Sequence, residues 1–577
     1  MSTMHCTSQV VLSNSTSQIR KENNEYSQKK LVLLWGLILV GYFLFVVQWY
    51  SISNFQGSGF GTTNANGWGA TFFSSPPSAI VSGSLNWTIT LGRAVGSILA
   101  GWLIAKIGHK YAVITVLSLM VLSFPFIIVS QNQSWNALSI AGGASLSPDG
   151  VATLGMSLFV IFRIFLAVGG TTLITYTNSI ISRMDNKEKA KYMTINQFGF
   201  NGGAFVANIF FVIPGAIGLV NGNSIIWTAI LSSFVILVFI ILVLYVLYGT
   251  EMVNKSSKSQ ISPSNEQITL GKVIKEKNTL VLAGMFSIWL ISVVFITSST
   301  MRTFIEQSPA NFKALAIANA LNPNVKNINT SSWYWVWPTF ICLFVAGFFL
   351  GIFWLANFGK TIFERRFFVR FMFAFGYLCM LISLLCGYFG GYDNTAALVF
   401  MLIFIFLSGF FLWSVQPILL TIPQQLINSN PRYMGFAAGL IWGIGYLGYT
   451  IGEILMSSLT SFVSPFGNFA GNFQIVGETI RNEGITTYND AIKEFNNLLS
   501  TNFLSIKSVE TPGIIASFII YWIILCSIFP LTIVQPKSGY WNKNNEFIIF
   551  YEKWNPFKNF MQWNIKNKNY LIETYSR

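Results

Sequence analysis

Three ionisable side chains stand inside long apolar runs of this chain: Arg93, Arg163 and Glu453. Insertion scales put an arginine at the centre of a bilayer-spanning helix at a cost of about 2.5–3.5 kcal/mol, so such a residue is kept where it meets a partner or a water-filled path. A guanidinium is a planar fork of donors that suits carboxylate or phosphate and keeps its charge. Two such groups against one acid favour an anionic ligand. The competing reading is a buried ion pair that locks helices together. Glu453 carries three readings: a proton-carrying carboxylate, a partner for Arg163, or an outer-gate residue facing water. A proton carrier must release as well as bind, so a tight arginine pair would argue against that role.

Polar and aromatic groups on neighbouring runs could complete a central site. The first half supplies Gln48, Tyr50, Asn86, Thr88, Thr90, Thr175 and Tyr176; the second supplies Ser298, Ser299, Trp413, Gln416, Tyr446 and Tyr449. The candidate ligand set is Arg93, Arg163, Gln48, Tyr176, Trp413 and Gln416, with Glu453 coupling or gating. Polar residues in apolar helices often only hydrogen-bond their neighbours. Gln416-Pro417 predicts a kink, because proline removes a backbone hydrogen bond.

Other chemistries find no footing. No Gly-rich loop ending in Lys-Ser/Thr is present, so ATP is not expected as a direct driver, and "GSGFG" at 57–61 lacks the strand-to-helix setting of a nucleotide fingerprint. Two histidines, His5 and His109, are too few for a histidine-based metal site. Of five cysteines, four lie in apolar runs and Cys6 in the N-terminal tail, which gives no disulfide framework. The expectation is a chain that is not an enzyme, with no cofactor and no metal.

The elements that must position these residues are bilayer spans. Of the 577 residues 53% are hydrophobic and 10% charged, whereas soluble domains carry about 25% charged residues. Runs long enough to cross a bilayer, about 20 residues, occur at roughly 31–51, 79–105, 111–130, 154–180, 193–218 and 224–248, then at 278–300, 333–356, 367–390, 395–422, 434–460 and 513–535. The expected fold is an all-α integral membrane protein of twelve transmembrane helices in two six-helix halves. Its parts are an N-terminal tail (1–30), a first half (31–248), a Ser/Asn/Lys-rich linker (249–277), a second half (278–535) and a basic aromatic tail (536–577).

Charge orients the bundle. An even number of spans puts both termini on one side, and that side collects 27 of the 35 Lys and Arg, against six on the other and two within spans. Basic loops mark the cytoplasmic face, so both termini are expected in the cytoplasm of a multi-pass cell-membrane protein. The net charge of +15 is therefore assigned to cytoplasmic loops and not to nucleic-acid binding. Thirty largely polar residues precede the first run, which is too long for a signal-peptide core. The opposite loops, about 52–78, 131–153, 301–332 and 461–512, are polar, and "NDAIKEFNNLLS" in the last predicts a short amphipathic helix. In the tail, Trp541, Phe547, Phe550, Tyr551, Trp554, Phe557, Phe560 and Trp563 interleave with lysines, which predicts a segment lying in the bilayer interface; Pro556 should break any helix there.

Two echoes tie the halves together. Lys191-Tyr192-Met193 matches Arg432-Tyr433-Met434, and "LIAKIGHK" matches "WLANFGKT", pairing Gly108 with Gly359. The offsets, 241 and 251 residues, differ by ten, a difference assigned to the longer loop at 131–153 in the first half. Parallel six-span repeats build carriers whose site lies near the midplane between halves.

On these residues the chain resembles the major facilitator superfamily over nearly its whole length. The family signature between the second and third helices, G-x-L-x-D-x-x-G-x-R/K, is matched at Gly101, Leu103, Gly108 and Lys110, but Ala105 stands at the acid. The second-half equivalent has Ala356, with Ile352 at the first glycine. The fourth-helix signature, an Arg with small residues at +4 and +6, is matched by Arg163, Ala167 and Gly169. An Asn-, Lys- and Phe-rich composition with intramembrane arginines is similar to hexose-phosphate-type carriers of small-genome bacteria.

The resemblance implies a secondary active transporter working by alternating access, with a small polar solute as substrate, anionic on the arginine argument, and coupling to a proton or counter-anion. Gly101, Gly108 and Lys110 would belong to its inner gate, although the missing acid at both equivalent positions removes the family's usual carboxylate there. Two alternatives stand: the same fold moving a neutral sugar, amino acid or drug, and a transport-inactive membrane sensor or assembly protein. The glycines at 435, 439, 443, 448 and 452 predict a smooth stripe along one face of the eleventh span.

Overall fold

A computed structural model of the chain describes residues 28–55, 79–129, 148–181, 184, 192, 195–209, 224–250, 270–325, 331–351, 366–426, 431–463, 467–500, 512–536, 539–541, 546–552 and 570–576. The first half consists of α1 (Gln28–Phe55), α2 (Ala79–Ile107), α3 (His109–Leu122), α4 (Pro125–Val129), α5 (Pro148–Ile181), α6 (Phe198–Ile209) and α7 (Ser224–Tyr248). The second begins with α8 (Leu270–Lys275), α9 (Lys277–Val294), α10 (Ser299–Glu306), α11 (Pro309–Leu321) and α12 (Val336–Gly351). It continues with α13 (Arg366–Leu385), α14 (Thr395–Thr421), α15 (Pro431–Val463), α16 (Gly467–Asn482), α17 (Tyr488–Ser500), α18 (Pro512–Cys526) and α19 (Ile528–Ile533).

Among the described residues ten helical stretches are long and apolar enough to cross a membrane. They coincide with ten of the twelve expected spans; at the other two lie α12, a shorter apolar helix, and the twelve-residue α6. The bundle is all-helical. In the tail β1 (Gly539–Trp541), β2 (Glu546–Glu552) and β3 (Tyr570–Ser576) form an antiparallel sheet in the order β1-β2-β3. The run EFIIFYE of β2 is rich in the aromatic and β-branched residues that strands favour. Pro556, the linker at 251–269, Ala356 and Gly359 lie outside the described residues.

Helix contacts are set by small residues. A Cβ on Gly92 would stand 2.8 Å from Ala167 Cβ, and one on Gly96 2.9 Å from the Val168 carbonyl, so α2 lies close along α5. The expected single glycine stripe on α15 is in fact divided between two faces. Gly439 and Gly443 abut Ser97, Ile98 and Ala94 of α2, whereas Gly445, Gly448 and Gly452 abut Phe286, Leu290, Ser287 and Ile291 of α9. At 3.6 residues per turn, five glycines spread over eighteen positions cannot all stay on one line.

The turn between α2 and α3 is made by Gly108. Its φ of 82° is readily adopted by glycine, its N–H donates to Ile104 (3.1 Å), and its carbonyl accepts from Ala112 (3.0 Å).

The loops opposite the termini are more structured than expected. Besides the predicted amphipathic helix, which is α17 with Ala491, Phe495 and Leu498 buried, α10, α11 and α16 fold into a cap on the second half. Ser308 caps α11 by accepting from Asn311 N. Arg481 of α16 donates to the Asn319 carbonyl (2.9 Å), the Asn319 side chain (3.1 Å) and the Ala320 carbonyl (3.3 Å), which closes the C-terminus of α11. Asn311 accepts from Tyr392 N, and Tyr488 donates to Asp393, so the cap is tied to the turn between α13 and α14. At the other end of the second half Arg366 grips the Gln535 carbonyl (2.6 and 3.1 Å) and Arg370 donates to Thr532 (2.6 Å).

Candidate functional site

The seam between the halves runs along α2 and α15, which lie antiparallel. Asn86 meets Tyr449 and Glu453, Thr90 meets Thr450 (2.7 Å), Ala94 meets Gly443, and Ser97 meets Gly439. A second seam joins α6 to α12 through Phe198, Phe205, Phe348 and Phe349.

Arg93 sits in the middle of the first seam and is wholly buried. One guanidinium nitrogen, Nη2, donates to the Tyr42 hydroxyl (3.1 Å). Four rings surround the guanidinium carbon: Tyr446 at 4.1 Å, Trp49 at 4.6 Å, Phe200 at 5.4 Å and Phe45 at 5.5 Å. Tyr446 belongs to the second half, the other three to the first. The enclosure follows from local sequence. Tyr42, Phe45 and Trp49 recur at three- and four-residue spacing along α1, and Gly170 leaves the room that Phe45 fills. Nε and Nη1 of Arg93 meet no hydrogen-bond partner among the described residues. A desolvated charge so placed is costly unless something completes its bonding.

Glu453 is also wholly buried, so it does not face water in this conformation. Its partners are Asn86, whose Nδ2 donates to Oε1 at 2.9 Å, and Tyr449. Neither partner is Arg163. Asn86 also donates to the Tyr449 hydroxyl (2.9 Å) and accepts from Trp49 Nε1 (3.2 Å). Thus the acid on α15 reaches the indole over Arg93 through one carboxamide. Tyr50 adds another tie across the halves by hydrogen-bonding Thr297, in the turn that ends α9.

The remaining candidates fall into two groups. Trp413 and Gln416 of α14 and Gln48 of α1 are buried near the seam. Trp413 packs on Phe200 (5.9 Å), which bridges it to Arg93, and on Trp289 (5.4 Å), Phe344 and Phe348. Both amide atoms of Gln48, Nε1 of Trp413 and Oε1 of Gln416 have no hydrogen-bond partner among the described residues. Arg163 and Tyr176 lie apart from this group. Arg163 stands over the Phe159 ring (5.4 Å). It is one turn before Ala167, which is level with Gly92. Tyr176 packs beside His109 (5.8 Å), and His109 in turn meets the Tyr245 hydroxyl (3.3 Å). These contacts place Tyr176 near the turn at Gly108. Gly101 is half-buried on α2 and Lys110 half-buried at the start of α3, while exposed Lys106 lies 4.7 Å from the Trp102 ring centre.

Sequence reasoning missed Tyr42, Phe45, Trp49, Phe200 and Trp289. The sign that could have found them is an aromatic stripe at helical spacing on the run next to an intramembrane arginine.

The family model described as Mycoplasma MFS transporter matches residues 159–461. A major facilitator superfamily transporter of Mycoplasma pneumoniae is 28% identical over 488 residues, covering 74% of this chain and 85% of its own. One from Mycoplasma genitalium is 27% identical over 499 residues, covering 76% and 85%. Among solved structures, a D-xylose-proton symporter is 15% identical with a TM-score of 0.47, covering 79% of this chain and 96% of its own. The Escherichia coli fucose:proton symporter is 14% identical with a TM-score of 0.45, covering 80% and 98%.

Proposed function

The chain belongs to the Mycoplasma MFS transporter family, within the major facilitator superfamily, and on that premise we propose that it carries a small polar anion, such as a sugar phosphate or organic anion, by alternating access. Membership makes it a multi-pass secondary transporter of a small molecule and not an enzyme. The anion is our reading, and one observation carries it. Arg93 lies buried between the halves with two guanidinium donors that meet no partner among the described residues, where its contacts are rings and one hydroxyl. An entering carboxylate or phosphate would supply the acceptors those donors lack, in the forked geometry guanidinium favours.

Residues 31–248 and 278–535 would rock against each other about this point, joined by the linker at 249–277, with both termini in the cytoplasm of the cell membrane. Gln48, Trp413 and Gln416 would orient the solute. Glu453 would bind the coupling proton, and Arg163 would serve the pathway on the side of the cap. Gly101, Gly108 and Lys110 would form the inner turn without the family's acid.

A second reading, a neutral sugar, draws on the Phe200, Trp413 and Trp289 surface, since ring faces of sugars stack on aromatics. Uptake into proteoliposomes separates the two. Glucose 6-phosphate accumulation that is lost in Arg93→Ala supports the anion. Accumulation of glucose alone, unaffected by Arg93→Ala, sinks it. Uptake of no probe by a folded protein would favour the transport-inactive alternative.

A further inference from the structure

The three hydrogen bonds of Asn86 make one rigid junction. Its carboxamide is planar, with Oδ1 taken by Trp49 Nε1 (3.2 Å) and Nδ2 shared between Glu453 Oε1 and the Tyr449 hydroxyl (both 2.9 Å). The group cannot turn to follow one partner without loosening its hold on the other. Beyond Trp49 lies the charge: its ring is 4.6 Å from the guanidinium carbon of Arg93. Asn86 therefore lies on α2, two turns from Arg93 along the same helix, and joins α15 of the second half to α1 of the first.

We infer that Asn86 is the positioning residue through which the proton occupancy of Glu453 sets the place of the Trp49 ring over Arg93. The inference rests on the reading of Glu453 as the coupling acid. A hydrogen bond to an ionised carboxylate is roughly twice as strong as one to a neutral partner. When a proton adds to a Glu453 oxygen, the pull on Nδ2 weakens and the carboxyl gains an O–H donor that needs its own acceptor. The carboxamide readjusts, and the indole that donates to its far end moves with it. The ring then covers or uncovers the guanidinium, which is the point where an anion would bind. The titratable groups facing Glu453 are Tyr449 on its own helix and Tyr50 of α1, and Arg93 of α2 lies beyond Tyr50, two turns along from Asn86. From α9 and α18 the residues meeting α15 near it are Ile291 and Ser517, both uncharged.

The test reads the junction directly and needs no substrate, so a carrier that proves to move a neutral solute leaves it intact. The full chain, labelled with 5-fluorotryptophan in detergent micelles, is followed by fluorine NMR across acidic to alkaline pH, with Trp49 assigned by its loss in Trp49→Phe. The expected result is one pH-dependent step in the Trp49 resonance. That step should vanish in Glu453→Gln and in Asn86→Leu, a substitution of similar volume without hydrogen-bonding groups. An unchanged Trp413 resonance shows that each variant is folded. A Trp49 step that survives Asn86→Leu overturns the inference. So does the absence of any step in the wild-type chain, which is measured whether or not the variants fold.

Discussion

The guanidinium carbon of Arg93, on α2, stands 4.1 Å from the ring centre of Tyr446, on α15. That contact joins the halves at the level of the two Arg93 donors that meet no partner among the described residues, so the two residues should respond differently to substitution. Tyr446→Phe keeps the ring and should leave stability within about 0.5 kcal/mol of wild type, whereas Tyr446→Leu should cost about 1–2 kcal/mol, the worth of a desolvated cation–π pair. Arg93→Lys keeps the charge but loses the fork. It should raise the half-saturation concentration for an anionic solute at least tenfold, about 1.4 kcal/mol. Thermal unfolding in detergent and proteoliposome uptake check these values. Equal stability of Tyr446→Leu and Tyr446→Phe would remove the ring's role.

The inner part of the same seam rests on Gly439. A Cβ there would come within 2.9 Å of the Ser97 carbonyl, and backbone cannot step aside as a flexible side chain can. Gly439→Val should separate α15 from α2 at a cost of about 1–3 kcal/mol, typical of overpacking, and abolish transport. Gly36→Ala is the control. Nothing lies within 4 Å of a Cβ at Gly36, so in the middle of α1 the change should be neutral or stabilising by up to about 1 kcal/mol.

Arg481 predicts local rather than global loss. Its three hydrogen bonds to Asn319 and Ala320 hold α16 against α11. Hydrogen bonds to charged groups are worth about 1.5–3 kcal/mol each, and water replaces part of that at this half-exposed site. Arg481→Ala should therefore speed backbone hydrogen exchange across residues 467–500 by at least tenfold while leaving exchange in α2 and α15 unchanged. Faster exchange throughout the bundle would show that the cap supports the whole fold.

A pH effect should come from the cap as well. Burial pushes the Glu306 carboxyl up from its ordinary value of 4.5, and Arg302, 2.6 Å away, only partly offsets this. The folded cap thus holds its proton more tightly than the unfolded chain does. That contribution is fully present below pH 4.5 and is lost as pH rises through the elevated folded value. Exchange protection of residues 299–321 should fall across that window, and Glu306→Gln should flatten the dependence. Rising protection over the same window would reverse the assignment.

Much of this was legible in the chain. Ten spans and the amphipathic helix at Tyr488–Ser500 stand where hydropathy and periodicity place them, because both signals are local. The cost of burying Arg93 and Glu453 could likewise be read from single residues in apolar runs. Their partners could not be read, because Asn86 and Glu453 are 367 positions apart and meet only through packing of the halves. Arg163 and Tyr176 share a helix with the residues facing α2. They nonetheless fall at other levels, since a 34-residue helix spans about 50 Å at 1.5 Å per residue. The aromatic enclosure escaped notice because rings in an apolar run look like any other lipophilic packing until a charge is known to lie under them.

The cap has a consequence for how the protein meets its surroundings. α11, α16 and α17 come from the second half and their ties to Tyr392 and Asp393 stay within it, whereas α10 also touches α2 of the first half. A binder on α16 or α17 grips a surface formed by second-half residues. That surface also carries none of the side chains gathered around Arg93. Substitutions on α16 and α17 therefore leave the surroundings of Arg93 as they are, so cap and candidate site can be probed independently of one another.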